Sequence, residues 1–440
     1  MAEPAAAPVS SRLTARWQTL TVSLLVTGYA GYYLCRSNLA VVMPLLIAEL
    51  GRRGLGADAA RIALGSVASL GVLAYAMGKF PSGGLADYLG GRRNFLLGMA
   101  GTVAFTLLFA VSGGLPMFTV AWMGNRLAQS LGWAGAVKIA SKWFSFRRYG
   151  TVMAIVSLSF LFGDALARQF MALLIAAGLG WRSVFLVDAV ILSAILVVCF
   201  FLVRESPAAI GEAEPPSNPA NLFGDTDAEE RPSSLGSLLR PLLGSFVFWL
   251  ACGLSLGTTI LRETFNLWTP TWLAQTVGLS AANSASLSAM FSLSGGFSVI
   301  LCGLLSDRLG RSGRAAIMFV GLALATAALL APGFDLLHGS HLMPVVFIAV
   351  VGLLIVGPYS FLAGAIALDF GGKRGSGAAS GLIDGVGYLG GVLSGETVAR
   401  ISVQFGWSGA FLALAAVAAV SSLAAGAFLL HERRHTRSGA

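Results

Sequence analysis

The stretch GGLADYLGGRR (83–93) and its echo CGLLSDRLGRSGR (302–314) decide how this chain is organised. Each places glycine, an acid (Asp87, Asp307), a second glycine and arginines between two apolar spans. Three further markers repeat in the same order on either side of these loops. Arg36-x7-Pro44 returns as Arg262-x7-Pro270, Gly150 and Gly163 return as Gly377 and Gly390, and GWRSVF (180–185) returns as GWSGAF (406–411). Markers shared in order predict an internal repeat, and transporter folds built from paired repeats put the substrate site between them.

Composition agrees with a membrane-embedded repeat. Of 440 residues, 56% are hydrophobic and 11% charged, with a mean hydropathy of +0.78; a soluble chain carries about twice that charged share. About twelve apolar spans are each long enough to cross a bilayer, which takes roughly 20 residues. They run over 18–46, 62–85, 94–113, 117–141, 150–177, 183–203, 244–273, 284–305, 315–333, 342–368, 376–400 and 407–430. Their length and glycine content suit helices packed through small residues, not barrel strands. The expected fold is an all-α integral membrane protein with twelve transmembrane helices in two six-helix halves related by a pseudo-twofold axis.

The net charge of +9 does not indicate nucleic acid as a partner. Most Lys and Arg outside the spans lie in the tails and in loops after even-numbered spans, which places both termini in the cytoplasm. The expected organisation is a tail over 1–17, a six-helix half over 18–203, a linker over 204–243, a second half over 244–430 and a tail over 431–440. The linker is polar and rich in proline and mixed charge, and reads as loosely ordered and cytoplasmic. The first span is too long for a signal-peptide core. Cys35, Cys199, Cys252 and Cys302 are scattered singly through apolar spans, which predicts core packing and neither disulfide nor metal site. All four histidines fall in a loop or the tail, so no intramembrane histidine relay is expected.

Arg36 and Arg262 carry the functional reading. A guanidinium within a membrane span costs at least ~2.5–3.5 kcal/mol, and no acid lies within four residues of Arg36. Glu263 adjoins Arg262, but neighbouring positions on a helix point apart. One such cation per half predicts a pair of forks for a phosphate or carboxylate.

The duplicated loops resemble the signature loop of the major facilitator superfamily. That likeness implies that Asp87, Arg92, Asp307 and Arg311 latch the halves on the cytoplasmic side in one state and release them in another. GYAGYYLCRSNLAVVMP (28–44), AYAMGKF (74–80), LGWAGAVK (131–138), LRETFNLWTPTWL (261–273), LCGLLSD (301–307) and GYLGG (387–391) further resemble the organophosphate:phosphate antiporter family. The resemblance implies that Arg36 and Arg262 grip phosphate and that Lys79, one helical turn beyond Tyr75, adds a third cation. It also implies that Tyr29, Tyr32 and Tyr33 form an aromatic face toward substrate. Independently of the family, two guanidiniums and an ammonium suit a phosphate monoester, and tyrosines can hydrogen-bond its oxygens while packing against its organic part.

The chain departs from glycerol-3-phosphate and hexose-phosphate transporters at Ser37, Phe160, Ser292, Gly391 and Ser394, so those substrates are not carried over. Other residues point toward ion pairing or proton coupling. Asp164 and Arg168 are spaced to pair on one helix. Arg126 in NRLAQSLG (125–132) resembles the fourth-span motif of proton-coupled facilitators, and its structural reading is a partner for Asp164. Asp384 stands alone in the eleventh span, and Glu396 and Arg400 are spaced as a surface pair.

The expectation is a non-enzymatic secondary transporter in the plasma membrane, functional as a monomer, without cofactor or metal. It would exchange a small organic phosphate for inorganic phosphate by alternating access. The rivals are a proton-coupled symporter of a sugar acid or other carboxylate, weakened because Cys35 stands where those relatives place an acid, and a non-transporting phosphate-ester sensor.

Overall fold

The computed structural model describes residues 12–144, 146–213, 215, 240, 242–309, 312–336 and 342–438. Within these, the side chains of Arg12, residues 83–88, Ser141, 146–151, 153–154, Asp307, Ala363, 368–369, 371–378 and 434–438 lie outside the description. Most of the expected linker over 204–243 is likewise outside it.

The described chain forms twelve long helices. The first six are α1 Arg12–Leu50, α2 Ala57–Leu89, α3 Gly91–Val111, α4 Leu115–Trp143, α5 Phe146–Ala176 and α6 Trp181–Leu202. The second six are α7 Phe246–Thr276, α8 Ala281–Leu309, α9 Gly313–Gly333, α10 Leu342–Phe361, α11 Ala367–Gly391 and α12 Glu396–Ser438. By length and apolarity alone, ten segments qualify as membrane spans. One of the ten fuses α11 with α12, and α4 is absent from them. α4 falls short because it carries Asn125, Arg126 and Gln129, all buried inside the bundle and not facing lipid.

Turns are short where glycine allows. Gly90, at φ 87°, reverses the chain between α2 and α3 in one residue, a left-handed conformation that a side chain disfavours. Gly406, at φ 70° and ψ 177°, breaks α12. The final crossing begins after Gly406, as the spans over 376–400 and 407–430 anticipate.

The halves meet along two antiparallel seams. In the first, α2 runs against α11 and the start of α12: Ser69 donates to the Val392 carbonyl at 2.5 Å, Ser66 to Glu396 at 2.7 Å, and Arg61 to Ser402 at 3.3 Å. The backbones come close here, since a Cβ added to Gly395 would stand 2.4 Å from the Gly65 carbonyl oxygen. In the second, α5 runs against α8, with Arg168 donating to Ser288 at 3.0 Å and Gln169 to the Ser286 carbonyl at 2.9 Å. The apolar core beside these contacts is shared, joining Leu39–Leu50 side chains to Trp268, Ala285, Val398 and Ala399. The halves are thus sealed at the end where α1 finishes and α2 begins. Outward faces of α6, α9 and α12 expose Val197, Phe201, Val320, Leu324, Val420 and Leu423, an apolar coat suited to lipid.

Candidate functional site

α1, α2, α4, α5, α7, α8 and α10 converge beneath the seal on one central cavity, with Ser394 reaching it from the turn between α11 and α12. Successive turns of α1 present Tyr33, Arg36, Ser37 and Ala40 to it, as the helical repeat requires. α4 contributes Trp122 and Arg126, α5 contributes Phe160, Asp164 and Arg168, and α7 contributes Arg262, Glu263 and Asn266. The space measures about 760 Å³, counted to its open mouth.

Tyr75, on α2, organises the cations of the first half. Its ring centroid lies 4.6 Å from the Arg36 guanidinium, 4.9 Å from that of Arg126 and 5.3 Å from Nζ of Lys79. Tyr33 offers Arg36 a second ring at 5.3 Å. Ring faces attract a cation by ~0.5–2 kcal/mol without neutralising it. Among the described residues Arg36 has no hydrogen bond and no carboxylate at ion-pair distance.

Arg262 is held differently. Its guanidinium lies 4.4 Å from the Tyr359 ring centroid, and its Nη2 donates to Glu263 at 2.6 Å and to the Tyr388 hydroxyl at 3.2 Å. Adjacency on the helix does not keep Arg262 and Glu263 apart, contrary to the sequence reading. Both side chains are long, and α7 is enclosed on nearly every side at this level, so both turn into the one cavity.

Asp164 accepts hydrogen bonds from Ser37 of α1 and Ser292 of α8, and pairs with Arg168 at 2.9 Å. Two positions where the chain departs from its transporter resemblance thus serve this carboxylate. Arg168 also donates to the Asn266 carbonyl at 2.9 Å. Arg126 does not take Asp164 as its partner; its nearest carboxylate is Glu263, at 3.9 Å. Asp384 is not isolated, because Lys79 reaches it at 2.9 Å across the halves. That pair borders a second space of about 710 Å³ with Ala76, Phe80, Gly385 and Tyr388. Tyr32 points away from the cavity and donates to the Phe95 carbonyl at 2.6 Å. Tyr29 stands behind Tyr33, against Trp133. Glu396 and Arg400 pair at 2.6 Å, and all four cysteines are free and buried.

Twelve helices, two matched halves and a charged central cavity agree with one family model. Residues 25–395 match the Major Facilitator Superfamily. The chain belongs to that superfamily. It is a facilitator transporter and not an enzyme. Curated relatives include a "Probable hexose phosphate transport protein" of Chlamydia pneumoniae, 25% identical, with 92% of this chain and 90% of the relative covered. The glycerol-3-phosphate transporter of Bacillus subtilis is 27% identical, with 92% and 91% covered. The membrane sensor protein UhpC of Escherichia coli is 25% identical, with 96% and 95% covered. These relatives agree with the organophosphate:phosphate antiporter resemblance. A crystal structure of a bacterial homologue of the lysosomal transporter Spinster, inward-facing and unoccupied, shares the fold: TM-score 0.73, 16% identity, 95% and 97% covered.

Of the residues expected to latch the facilitator halves, the Asp87 and Asp307 side chains and all of Arg311 lie outside the described residues. Arg92 is bound within its own half, donating to the Val203 carbonyl at 2.7 Å and to that of Phe200. Beside it Glu205, which the sequence reading did not single out, caps α3. Its carboxylate accepts from the Gly91 and Arg92 amides at 2.9 and 2.7 Å and from Lys142 at 2.8 Å. Burial pushes that carboxyl up, but the bonds from Lys142, Arg92 and Gly91 outweigh it and hold it below its ordinary range. Glu263, Tyr359 and Tyr388 were also missed as site residues. An acid inside an apolar span is the signal that could have flagged Glu263.

Proposed function

We propose that this facilitator exchanges a small phosphate monoester for inorganic phosphate across the plasma membrane, by alternating access and as a monomer. The observation that carries the reading is the convergence of Arg36 and Arg262, from matching helices of the two halves, on a single cavity. Among the described residues four guanidiniums line that cavity, Arg36, Arg126, Arg168 and Arg262, against two carboxylates, Asp164 and Glu263. Two positive charges remain, which a phosphate-monoester dianion would neutralise. Lys79 and Asp384 cancel and leave that balance unchanged. The names of the relatives, hexose phosphate and glycerol-3-phosphate transporters, support the same ligand class.

In this reading Arg36 and Arg262 hold the phosphoryl oxygens while Tyr33 and Tyr75 pack beside the ligand. The sealed end faces outward, as the cation distribution of the loops favours, so the halves stand open to the cytoplasm. An empty site with surplus positive charge resists closure, which ties movement to a bound anion. Liposomes containing the purified protein and preloaded with inorganic phosphate are expected to take up radiolabelled phosphate with no pH gradient and with little effect of a protonophore. The position of Asp164 on the cavity wall favours the rival, proton-coupled carboxylate symport. Gradient-driven carboxylate uptake without phosphate self-exchange would establish that rival instead.

A further inference from the structure

Glu263 occupies the place where an anion is needed. It is 8% exposed, and its two oxygens address opposite halves of the molecule. Oε1 accepts from Nη2 of Arg262 at 2.6 Å, while Oε2 stands 3.9 Å from Nη2 of Arg126 on α4. Arg36 from α1 and Asp164 from α5 also lie within its electrostatic reach. Its stem rests near Gly391 of α11, where a Cβ would come 3.4 Å from its Cγ. Arg126 and Arg262 are both more than nine-tenths buried, and each keeps an Nε without a partner. Neither guanidinium fork is therefore used in full by the protein.

We propose that Glu263 is a resident competitor for the substrate anion. This rests on the phosphate reading above and names the residue that sets the strength of binding. One carboxylate oxygen on one Nη is an end-on contact, whereas a phosphate can engage Nε and Nη2 of the same guanidinium together. The arriving anion displaces Glu263 from Arg262, and Glu263 returns as the anion leaves. Its charge also lowers the surplus in the cavity from three positive charges to two. A carrier must release its cargo on the far side, and a resident carboxylate shortens the time the anion stays bound.

The alternative role for Glu263 is a brace that aims Arg262, and the two roles predict opposite signs. The half-saturation concentration for inorganic phosphate is measured in proteoliposomes by radiolabelled exchange, and binding by the phosphate-induced rise in melting temperature. Glu263→Gln keeps the shape and removes the charge, and Glu263→Ala removes both, so the test does not hang on one variant inserting. Each is expected to lower the half-saturation concentration about tenfold, the scale of one charge-assisted hydrogen bond, with slower turnover at saturation. Glu263→Asp is expected to stay within about threefold of the parent, since the competing charge remains. Weaker or unchanged phosphate binding in the Gln and Ala variants would overturn the proposal. Failure of the parent chain itself to bind phosphate would overturn the phosphate reading together with it, and is told apart by appearing before any substitution is made.

Discussion

Arg36 and Arg262 hold the same place in the two halves of an internal repeat, yet their surroundings are opposed. Among the described residues Arg36 meets only the ring faces of Tyr33 and Tyr75. Arg262 meets a ring, a hydroxyl and the carboxylate of Glu263. Fold symmetry places the two guanidiniums, and local side chains decide how much of each remains for a ligand. The first half offers an uncommitted cation, and the second offers one already answered by the protein.

The largest expected effect follows from that difference. Arg36→Lys keeps the charge and loses the planar fork. With no carboxylate among the described residues to fall back on, it should reduce phosphate exchange roughly a hundredfold at matched insertion, the upper range for losing hydrogen bonds between charged groups. Arg262→Lys should reduce exchange less, about tenfold, because Glu263 already takes part of that donor set. Transport rates of the two variants in proteoliposomes give the ratio. A more severe loss at Arg262 would break the comparison.

The second test concerns the seam and not the ligand. Arg168→Ala leaves Asp164 buried with two serine donors and no cation. Removing one member of a buried pair costs about 3–5 kcal/mol, so a clear fall in melting temperature in detergent is expected. Asp164→Asn should lower it less, since the amide can still bond Ser37 and Ser292, and should retain phosphate self-exchange.

Lys79 sharpens the comparison further, because it is a cation of the first half answered by Asp384 of the second. Both side chains are about a quarter exposed, 25% and 22%, so the pair is screened and its contribution is modest, ~1 kcal/mol. Lys79→Met and Asp384→Asn should each slow exchange severalfold by unbalancing the site. The double variant should recover part of the loss, which a mutant cycle would read directly.

The smallest effect lies in the loop region of the first half. The Glu205 carboxyl is held below its ordinary range, so its contribution is present above the unfolded carboxyl value near ~4.3. It fades as pH falls through the lower, folded value. Glu205→Gln should cost about 1 kcal/mol at neutral pH, seen as a small drop in melting temperature that narrows on acidification. A constant difference down to strongly acidic pH would show that the carboxylate contributes no charge-dependent cap to α3.

Much of the fold was legible because a membrane span is a one-dimensional property. Twenty consecutive apolar residues announce a crossing wherever the neighbours sit, and a repeated Gly-Asp-Gly loop announces a second half. α4 shows the limit of that argument. Asn125, Arg126 and Gln129 lower its apolarity, and they are buried among α1, α3 and the cavity, which no count along the chain reveals. Seal and seams were not legible either. Ser66, Ser69, Glu396 and Ser402 look like ordinary polar residues at helix ends until α2 and α12 are set side by side.

The site divides in the same way. Reading along the chain was enough to place two arginines, one per half, within apolar spans and to require anions for them, because a guanidinium in a bilayer is costly wherever its neighbours sit. It also marked Lys79, Arg126, Asp164 and Arg168 as charges needing explanation. The Asp164–Arg168 pair follows from spacing on α5, but the helix crossings set the rest: Lys79 with Asp384, Arg126 beside Glu263, Arg168 onto Ser288 of the α5–α8 seam, and, among the described residues, Arg36 with no carboxylate. Those assignments depend on which helices cross at the cavity and how far each side chain reaches. Side chains of that length turn through several ångströms, so spacing along one helix says where a charge starts and not where it ends.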